Sequence, residues 1–238
     1  MGGMSATPVP GAVAVVLAAG LGTRIGADGN KAYLRIADRS MVAWSIDTLA
    51  RVPEIARTVL VFRRGEHELA RDTIRRELPS ATVEFVEGGD SRHASESNVL
   101  AYLAADIESG TVDVVVIHDA ARPLAGPDMF VTALSVAREF GGAIPAIPAA
   151  DVIRTSGGDN VESMTNVVRV QTPQAFRAAA LLAAYRAAAR EGFEGTDTSS
   201  CVEAFTDIDV RTFRGEQRNL KVTYAADITV AERLLTRR

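Results

Sequence analysis

Short runs of β-branched residues alternate along the chain with longer stretches rich in alanine, leucine and arginine. Ala12 to Leu17 are apolar without interruption, which fits a strand buried on both faces rather than one with a wet side. Val114-Val115-Val116-Ile117 is a second such run, inside a strand predicted over 113–118. Further strands are predicted over 58–62, 82–87 and 142–146. Between them, helices are predicted over 41–51, with Val42, Trp44, Ile46 and Leu49 as core positions, and over 66–78, 91–105 and 128–140. A β-α-β-α order argues an α/β fold, with a mostly parallel, Rossmann-like, doubly wound sheet carrying helices on both faces. Ligands on such sheets sit outside the carboxyl ends of the strands, so the informative loops follow Leu17, Val86 and Ile117.

The rhythm breaks over 149–170. Ser156-Gly157-Gly158-Asp159-Asn160 is a strong turn signal between two strand-like runs, Val152-Ile153-Arg154 and Val167-Val168-Arg169-Val170. This predicts an antiparallel excursion, a protruding β-arm. Helices resume over 177–191 and near 199–205, followed by a strand over 209–214, a loop bearing Lys221 and a last helix over 226–235. Neither an internal repeat nor a linker interrupts the chain. The expectation is one domain over 12–238, including the arm, behind a flexible N-terminal segment, 1–11.

Composition narrows the function classes. The 238 residues are 24% charged with a net charge of −4, so no broad basic face for nucleic acid is expected. A single cysteine, Cys201, excludes an intramolecular disulfide and a cysteine zinc cluster. It falls in a predicted helix and reads as a packing residue. No apolar run reaches the roughly 18 residues of a membrane helix. The start lacks a basic stretch and an apolar core before Val13, so the expected place is the cytoplasm, away from membranes.

The chemistry begins directly after the first strand, at Ala18-Ala19-Gly20-Leu21-Gly22-Thr23-Arg24-Ile25-Gly26. Glycines let backbone N–H groups turn inward around an anion. Arg24 and Lys31 add full charges nearby, which suits a triphosphate. The third glycine of a dinucleotide fingerprint would fall at Ile25, and no Gly-Lys-Ser/Thr is present, so neither the Rossmann cofactor motif nor a P-loop fits. A tight turn beside two solvated cations is the plainer alternative.

Four more segments accompany that loop in order. They are Lys31-x-Tyr33-Leu34, Gly88-Gly89-Asp90-Ser91-Arg92-x-x-Ser95, His118-Asp119-Ala120-Ala121-Arg122-Pro123 and Gln171-Thr172-Pro173-Gln174-x-Phe176. Thr196-Asp197 and Asn219-Leu220-Lys221-Val222-Thr223 follow near the end. With this set the sequence resembles the 2-C-methyl-D-erythritol 4-phosphate cytidylyltransferase family, which includes ribitol-5-phosphate cytidylyltransferases, from about Val13 to Leu235.

The resemblance implies a nucleotidyltransferase that joins CTP to 2-C-methyl-D-erythritol 4-phosphate, releasing pyrophosphate, in isoprenoid precursor synthesis. It implies that the backbone from Ala18 through Gly20 to Gly22 wraps the phosphates, and that Ala18, Ala19, Gly89, Asp90 and Ser95 surround the cytosine. Arg24, Lys31 and Lys221 would be catalytic. Asp119 and Ala120 would meet the ribose, with Asp119 also holding Mg²⁺ or another divalent cation. Arg122, Thr172, Thr196 and Lys221 would hold the acceptor. A homodimer interlocked through the arm is implied as well.

Several residues have blander readings. His118 reads as a structural, hydrogen-bonded histidine, Asp227 as a cap of the last helix, and Ser95 as a residue that merely opens its helix. Four departures from the family pattern matter. Asn30-Lys31-Ala32 replaces Pro-Lys-Gln, predicting a less rigid loop near Lys31. Val152 and Met164 replace a threonine and an arginine expected on the acceptor side. The run 196–201 and Tyr224 also differ. These departures keep ribitol 5-phosphate or another sugar or polyol phosphate open as the acceptor. A nucleotide-binding paralogue without activity is the alternative from a different class.

Overall fold

A computed structural model describes residues 11–20, 29–149 and 167–236, and the backbone alone of two short strands at 153–155 and 161–163. Gly22, Arg24, Val152 and Met164 lie outside the described residues, as do residues 1–10.

In chain order the first elements are β1 (Gly11–Leu17), a 3-10 turn (Lys31–Tyr33), β2 (Arg35–Ile36), β3 (Arg39–Ser40), α1 (Met41–Leu49), β4 (Ile55–Phe62) and α2 (His67–Glu77). Next come β5 (Glu84–Glu87), α3 (Arg92–Glu108), β6 (Val112–Asp119), α4 (Pro127–Phe140) and β7 (Gly141–Pro148). The remainder comprises β8 (Ile153–Thr155), β9 (Val161–Ser163), β10 (Val168–Val170), β11 (Gln174–Arg177), α5 (Ala178–Glu191), α6 (Thr198–Phe205), β12 (Asp209–Arg214) and α7 (Ala225–Leu235).

The main sheet runs β10-β7-β11-β6-β1-β4-β5, with β12 paired along β7. β6, β1, β4 and β5 pair in parallel, as do β7 and β12. β10 and β11 run antiparallel to β7, and β11 also to β6. The continuous apolar runs have the expected cause. Ala12, Ala14 and Val16 face one core shared with α1, α2 and α4. Val13 and Val15 face the other, shared with α3, α5 and α6. A smaller core joins Ile36, Met41, Leu124 and Val222 to Ala231 and Leu235, fastening α7 beside the Lys221 loop.

Two expectations change. The described residues of the runs at 152–154 and 167–170 lie in different strand pairs. β8 pairs with β9, while β10 belongs to the main sheet, with Arg169 opposite Ile147. Within 149–170 the described backbone thus holds one antiparallel pair, β8 with β9, and one strand of the main sheet, β10. The Gln-Thr-Pro-Gln segment carries no strand signal, yet Gln174 opens β11. It is a strand because β6 and β7 offer pairing on both sides, and Arg177 closes it instead of starting α5.

Candidate active site

Sheet register gathers the site. Leu17 pairs with both Val61 and Asp119, and Val61 with Val86, so four parallel strands end at one level. The loops that leave this row are pinned to neighbouring strands. Ala18 N–H donates to Val61 O at 2.9 Å, Ala120 N–H to Leu17 O at 3.1 Å and Gly88 N–H to Phe62 O at 2.8 Å. Ala18, Ala19, Gly20, Gly89, Ser95, Asp119 and Ala120 thereby meet along one edge.

Steric need divides the glycines there. A Cβ on Gly88 would lie 2.6 Å from Ala19 Cβ and 2.8 Å from Ser95 Oγ, and one on Gly89 would lie 2.5 Å from Ala94 Cβ. At Gly20 a Cβ meets nothing within 4 Å, so the described neighbours leave open space above that turn. Ser95 does more than open its helix. Its buried hydroxyl accepts the Gly89 N–H at 3.1 Å and donates to Ser91 O at 2.8 Å, which fixes the glycine turn to α3. Asp90 is exposed and lies 3.9 Å from Arg64, facing away from this packing.

Asp119 stands at the centre, 6% exposed. Its Oδ1 accepts from Arg92 and its Oδ2 from Lys221 Nζ at 2.7 Å. Burial alone would raise its pKa, but Arg92 and Lys221 outweigh burial and hold the carboxyl far below the usual carboxylate range. The Asp119 N–H donates to Thr172 Oγ1 at 3.0 Å, and that hydroxyl is also 3.2 Å from His118 Nδ1. His118 is fully buried, packs edge-on against Phe130, and is pushed down to about pKa 4 by burial, as suits a structural, neutral imidazole. The hydroxyl of Thr172 is thus committed to Asp119 and His118.

The Lys221 loop is stitched in from three directions. Arg122 Nη1 donates to Asn219 O at 2.8 Å, and Gln171 Nε2 donates to the same carbonyl at 3.1 Å. Asn219 Nδ2 donates to Thr172 O at 2.9 Å, and Val222 N–H to Ala121 O at 2.8 Å. Lys31 Nζ donates to Val222 O at 3.2 Å, which brings Lys31 to the same loop.

Asn30, which stands where the family pattern has proline, is tied in by its side chain, while residues 21–28 before it lie outside the described residues. Its side chain, 5% exposed, donates to Ala18 O and to Glu66 Oε2 at 2.7 Å, and accepts from Ala32 N–H at 3.0 Å. Asn30 therefore ties the end of β1 to the turn that carries Lys31. Thr196, by contrast, is exposed before α6, apart from the Asp119 cluster among the described contacts.

Arg92, Asn30, Gln171 and Asn219 were missing from the expected site. Arg92 lay inside a quoted motif, but its role depends on a contact 27 residues away. The other three are buried polar residues without a charge to draw notice. Asp227 does cap α7, though from the third helical position: its Oδ2 accepts the N–H groups of Thr223 and Tyr224 at 2.8 Å each. Cys201 is buried, and burial pushes its thiol up to about pKa 11, consistent with packing. Among the described residues no three His, Cys, Asp or Glu side chains gather as a metal cluster, and no helix is long and apolar enough to cross a membrane.

A mostly parallel α/β sheet whose carboxyl edge joins the start of a glycine-rich turn to a carboxylate held between cations suits a nucleotidyltransferase, the class to which this chain's relatives belong. The family model for 2-C-methyl-D-erythritol 4-phosphate cytidylyltransferase matches residues 12–237, and the chain belongs to that family. A relative of that name from Cereibacter sphaeroides is 38% identical, covering 93% of this chain and 96% of its own length. One from Solibacter usitatus is 34% identical over 94% of this chain and 95% of its own. The crystal structure of 4-diphosphocytidyl-2C-methyl-D-erythritol synthase from Anaerococcus prevotii is similar, with a TM-score of 0.81, 28% identity, and coverage of 95% of this chain and 96% of that one.

Proposed function

We propose that the protein transfers the cytidylyl group of CTP to 2-C-methyl-D-erythritol 4-phosphate. The observation that carries this is the Arg92–Asp119–Lys221 cluster at the strand ends, in a chain similar to these enzymes over nearly its whole length. An acceptor phosphate has its second pKa near about 6, so at neutral pH it is mostly dianionic and needs no protein base. Its oxygen attacks the α-phosphorus, a new P–O bond forms, and the bond to the β-phosphate breaks as pyrophosphate leaves. What the protein must do is align two anions that repel and stabilise charge on the phosphorus. Lys31 and Lys221 fit that work, and the resemblance adds Arg24, which lies outside the described residues. By resemblance Arg122 and Thr196 serve the acceptor side, with Thr172 setting Asp119 from beneath, and residues 18–22, Gly89, Asp90, Ser95 and Ala120 serve the nucleotide.

A magnesium ion fits this donor set in one way only. Asp119 is a lone carboxylate whose two oxygens already accept from cations, so it can offer remaining lone pairs to an ion that phosphates and water otherwise coordinate. Bound there, Mg²⁺ would neutralise phosphate charge and favour departure of pyrophosphate. Pairing of two copies through the segment 149–170, and a cytoplasmic setting, complete the proposal.

The test is pyrophosphate release from each of the four nucleoside triphosphates, offered with methylerythritol phosphate or ribitol 5-phosphate. The expected result is turnover with CTP and methylerythritol phosphate. Turnover only with ribitol 5-phosphate would reassign the acceptor, in line with Val152 and Met164. CTP binding without turnover on either acceptor would refute the transferase.

A further inference from the structure

We infer that Glu96 is a positioning residue, which couples the orientation of Asp119 to the segment leading into α6. The inference rests on the proposed transfer reaction for its kinetic consequence, but its structural basis is independent of it.

Glu96 is 1% exposed, and an isolated carboxylate at such a place is costly. It is held by three partners from separate parts of the fold. Thr198 Oγ1 donates to Oε1 at 2.9 Å, and Tyr185 Oη donates to Oε2. Arg92, one helical turn earlier, brings Nε to 2.9 Å of Oε1 as an ion pair that is off the hydrogen-bond axis. The same guanidinium reaches Asp119 through Nη1. Lys221, Asp119, Arg92 and Glu96 thus form a connected row of polar groups from the exposed loop into the interior, at whose inner end burial raises the pKa of the Glu96 carboxyl.

The far end of this row governs Thr196. Thr198 is the first residue of α6, and Glu96 fixes its side chain. On the other flank, Gly195 N–H donates to His93 Nδ1 at 3.4 Å, and the His93 ring stacks on Tyr185 at 4.6 Å between centroids. Gly195 is itself wedged, because a Cβ there would lie 2.8 Å from Ser200 Oγ. The residues on either side of the Thr196-Asp197 pair are therefore both fastened to the opening turns of α3. That turn also supplies Arg92 to Asp119 and Ser95 to the glycine turn. If the helix opening shifts, both substrate sides shift together.

Two near-isosteric variants separate the links. Thr198→Val removes the hydroxyl that joins α6 to Glu96. Glu96→Gln replaces one of the two acceptor oxygens that Thr198, Arg92 and Tyr185 share with an amide donor. Amide hydrogen exchange at 195–199 should accelerate in both by about fivefold or more, the effect of one net hydrogen bond. In steady-state kinetics Thr198→Val should raise the acceptor KM by a similar factor while leaving the CTP KM within about twofold. Glu96→Gln should do the same and also lower kcat by about tenfold, because Arg92 and Asp119 lose their setting. A purely structural role would reduce the amount of folded enzyme, scaling the rate and leaving both KM values unchanged. Unchanged exchange at 195–199 in Thr198→Val, or an unchanged acceptor KM in that variant, overturns the inference. If Glu96→Gln does not fold, Thr198→Val decides alone. If the wild type turns over no substrate, the proposed reaction fails while the exchange comparison still decides the coupling.

Discussion

Replacing Thr172 by valine isolates the contribution of one hydroxyl beneath Asp119. The side chain is 4% exposed, accepts the Asp119 N–H at 3.0 Å and lies 3.2 Å from His118 Nδ1. Valine fills nearly the same space but offers neither partner a hydrogen bond. Both partners stay buried, and a buried group left unsatisfied costs about 1–3 kcal/mol, so the pair loses about 2–6 kcal/mol. At about 2–4 °C per kcal/mol for a chain of this size, Tm should fall by roughly 4–24 °C. Thr172→Ser keeps the hydroxyl and gives up one methyl group, about 1 kcal/mol. Urea unfolding followed by the fluorescence of Trp44, the single tryptophan, measures both variants against wild type. A valine variant within about 0.5 kcal/mol of the serine variant would refute the reasoning, since it would mean the hydroxyl satisfies nothing of consequence.

Lys31→Ala should lower kcat by on the order of a hundredfold at saturating nucleotide and metal, the usual loss for one oxyanion donor; near-normal turnover would remove Lys31 from the reaction. His118 makes stability depend on pH. Burial lowers its pKa to about 4, against about 6.5 in the unfolded chain. Below about pH 6.5 the unfolded chain binds a proton that the native state does not, so stability present above that pH is lost as pH falls towards about 4. Between pH 7 and 5 the wild type should lose about 2 kcal/mol more than His118→Asn, and equal losses in chemical denaturation would exclude this account. Gly89→Ala forces the first turn of α3 to move, because the new Cβ would lie 2.5 Å from Ala94 Cβ. The KM for CTP should rise by about tenfold or more with kcat much less affected; an unchanged KM would show that the glycine turn does not shape the nucleotide site.

Local pattern made the parallel core legible because buried strands must be apolar on both faces. β1 and the Val114–Ile117 run of β6 announce themselves for that reason, and β12 matches its expected bounds of 209–214. β11 did not announce itself. Its polar and proline-containing opening gives no periodic signal, and only the neighbouring β6 and β7 make it a strand. The charged site residues Lys31, Asp119, Arg122 and Lys221 stood out through their motifs. Arg92 takes its place only through Asp119 across the strand row, and Asn30 holds the turn at Lys31 through three hydrogen bonds to partners that its own neighbours do not reveal. Sequence spacing reports which residues share a face of their own element. It does not report which side chain from a distant element will meet them there.

The Asp119 cluster is poorly explained by stability alone. Lys221 is 40% exposed at its side chain, and an ion pair with one partner so wet contributes about 1 kcal/mol or less. Asp119 is nearly buried, so it loses much of its hydration in order to make that contact. Well-packed apolar residues of similar volume often match or exceed a buried ion pair in stability. The arrangement has a clearer use in electrostatics. Asp119 restrains Arg92 and Lys221 where strand ends and loop backbone already converge, so their charges need little rearrangement when an anion arrives. In the proposed reaction an entering anion would draw on cations already fixed in place, and Asp119 would keep Arg92 and Lys221 paired until it arrives. The same carboxylate that weakens the case for a purely structural cluster therefore strengthens the case for a phosphate-handling one.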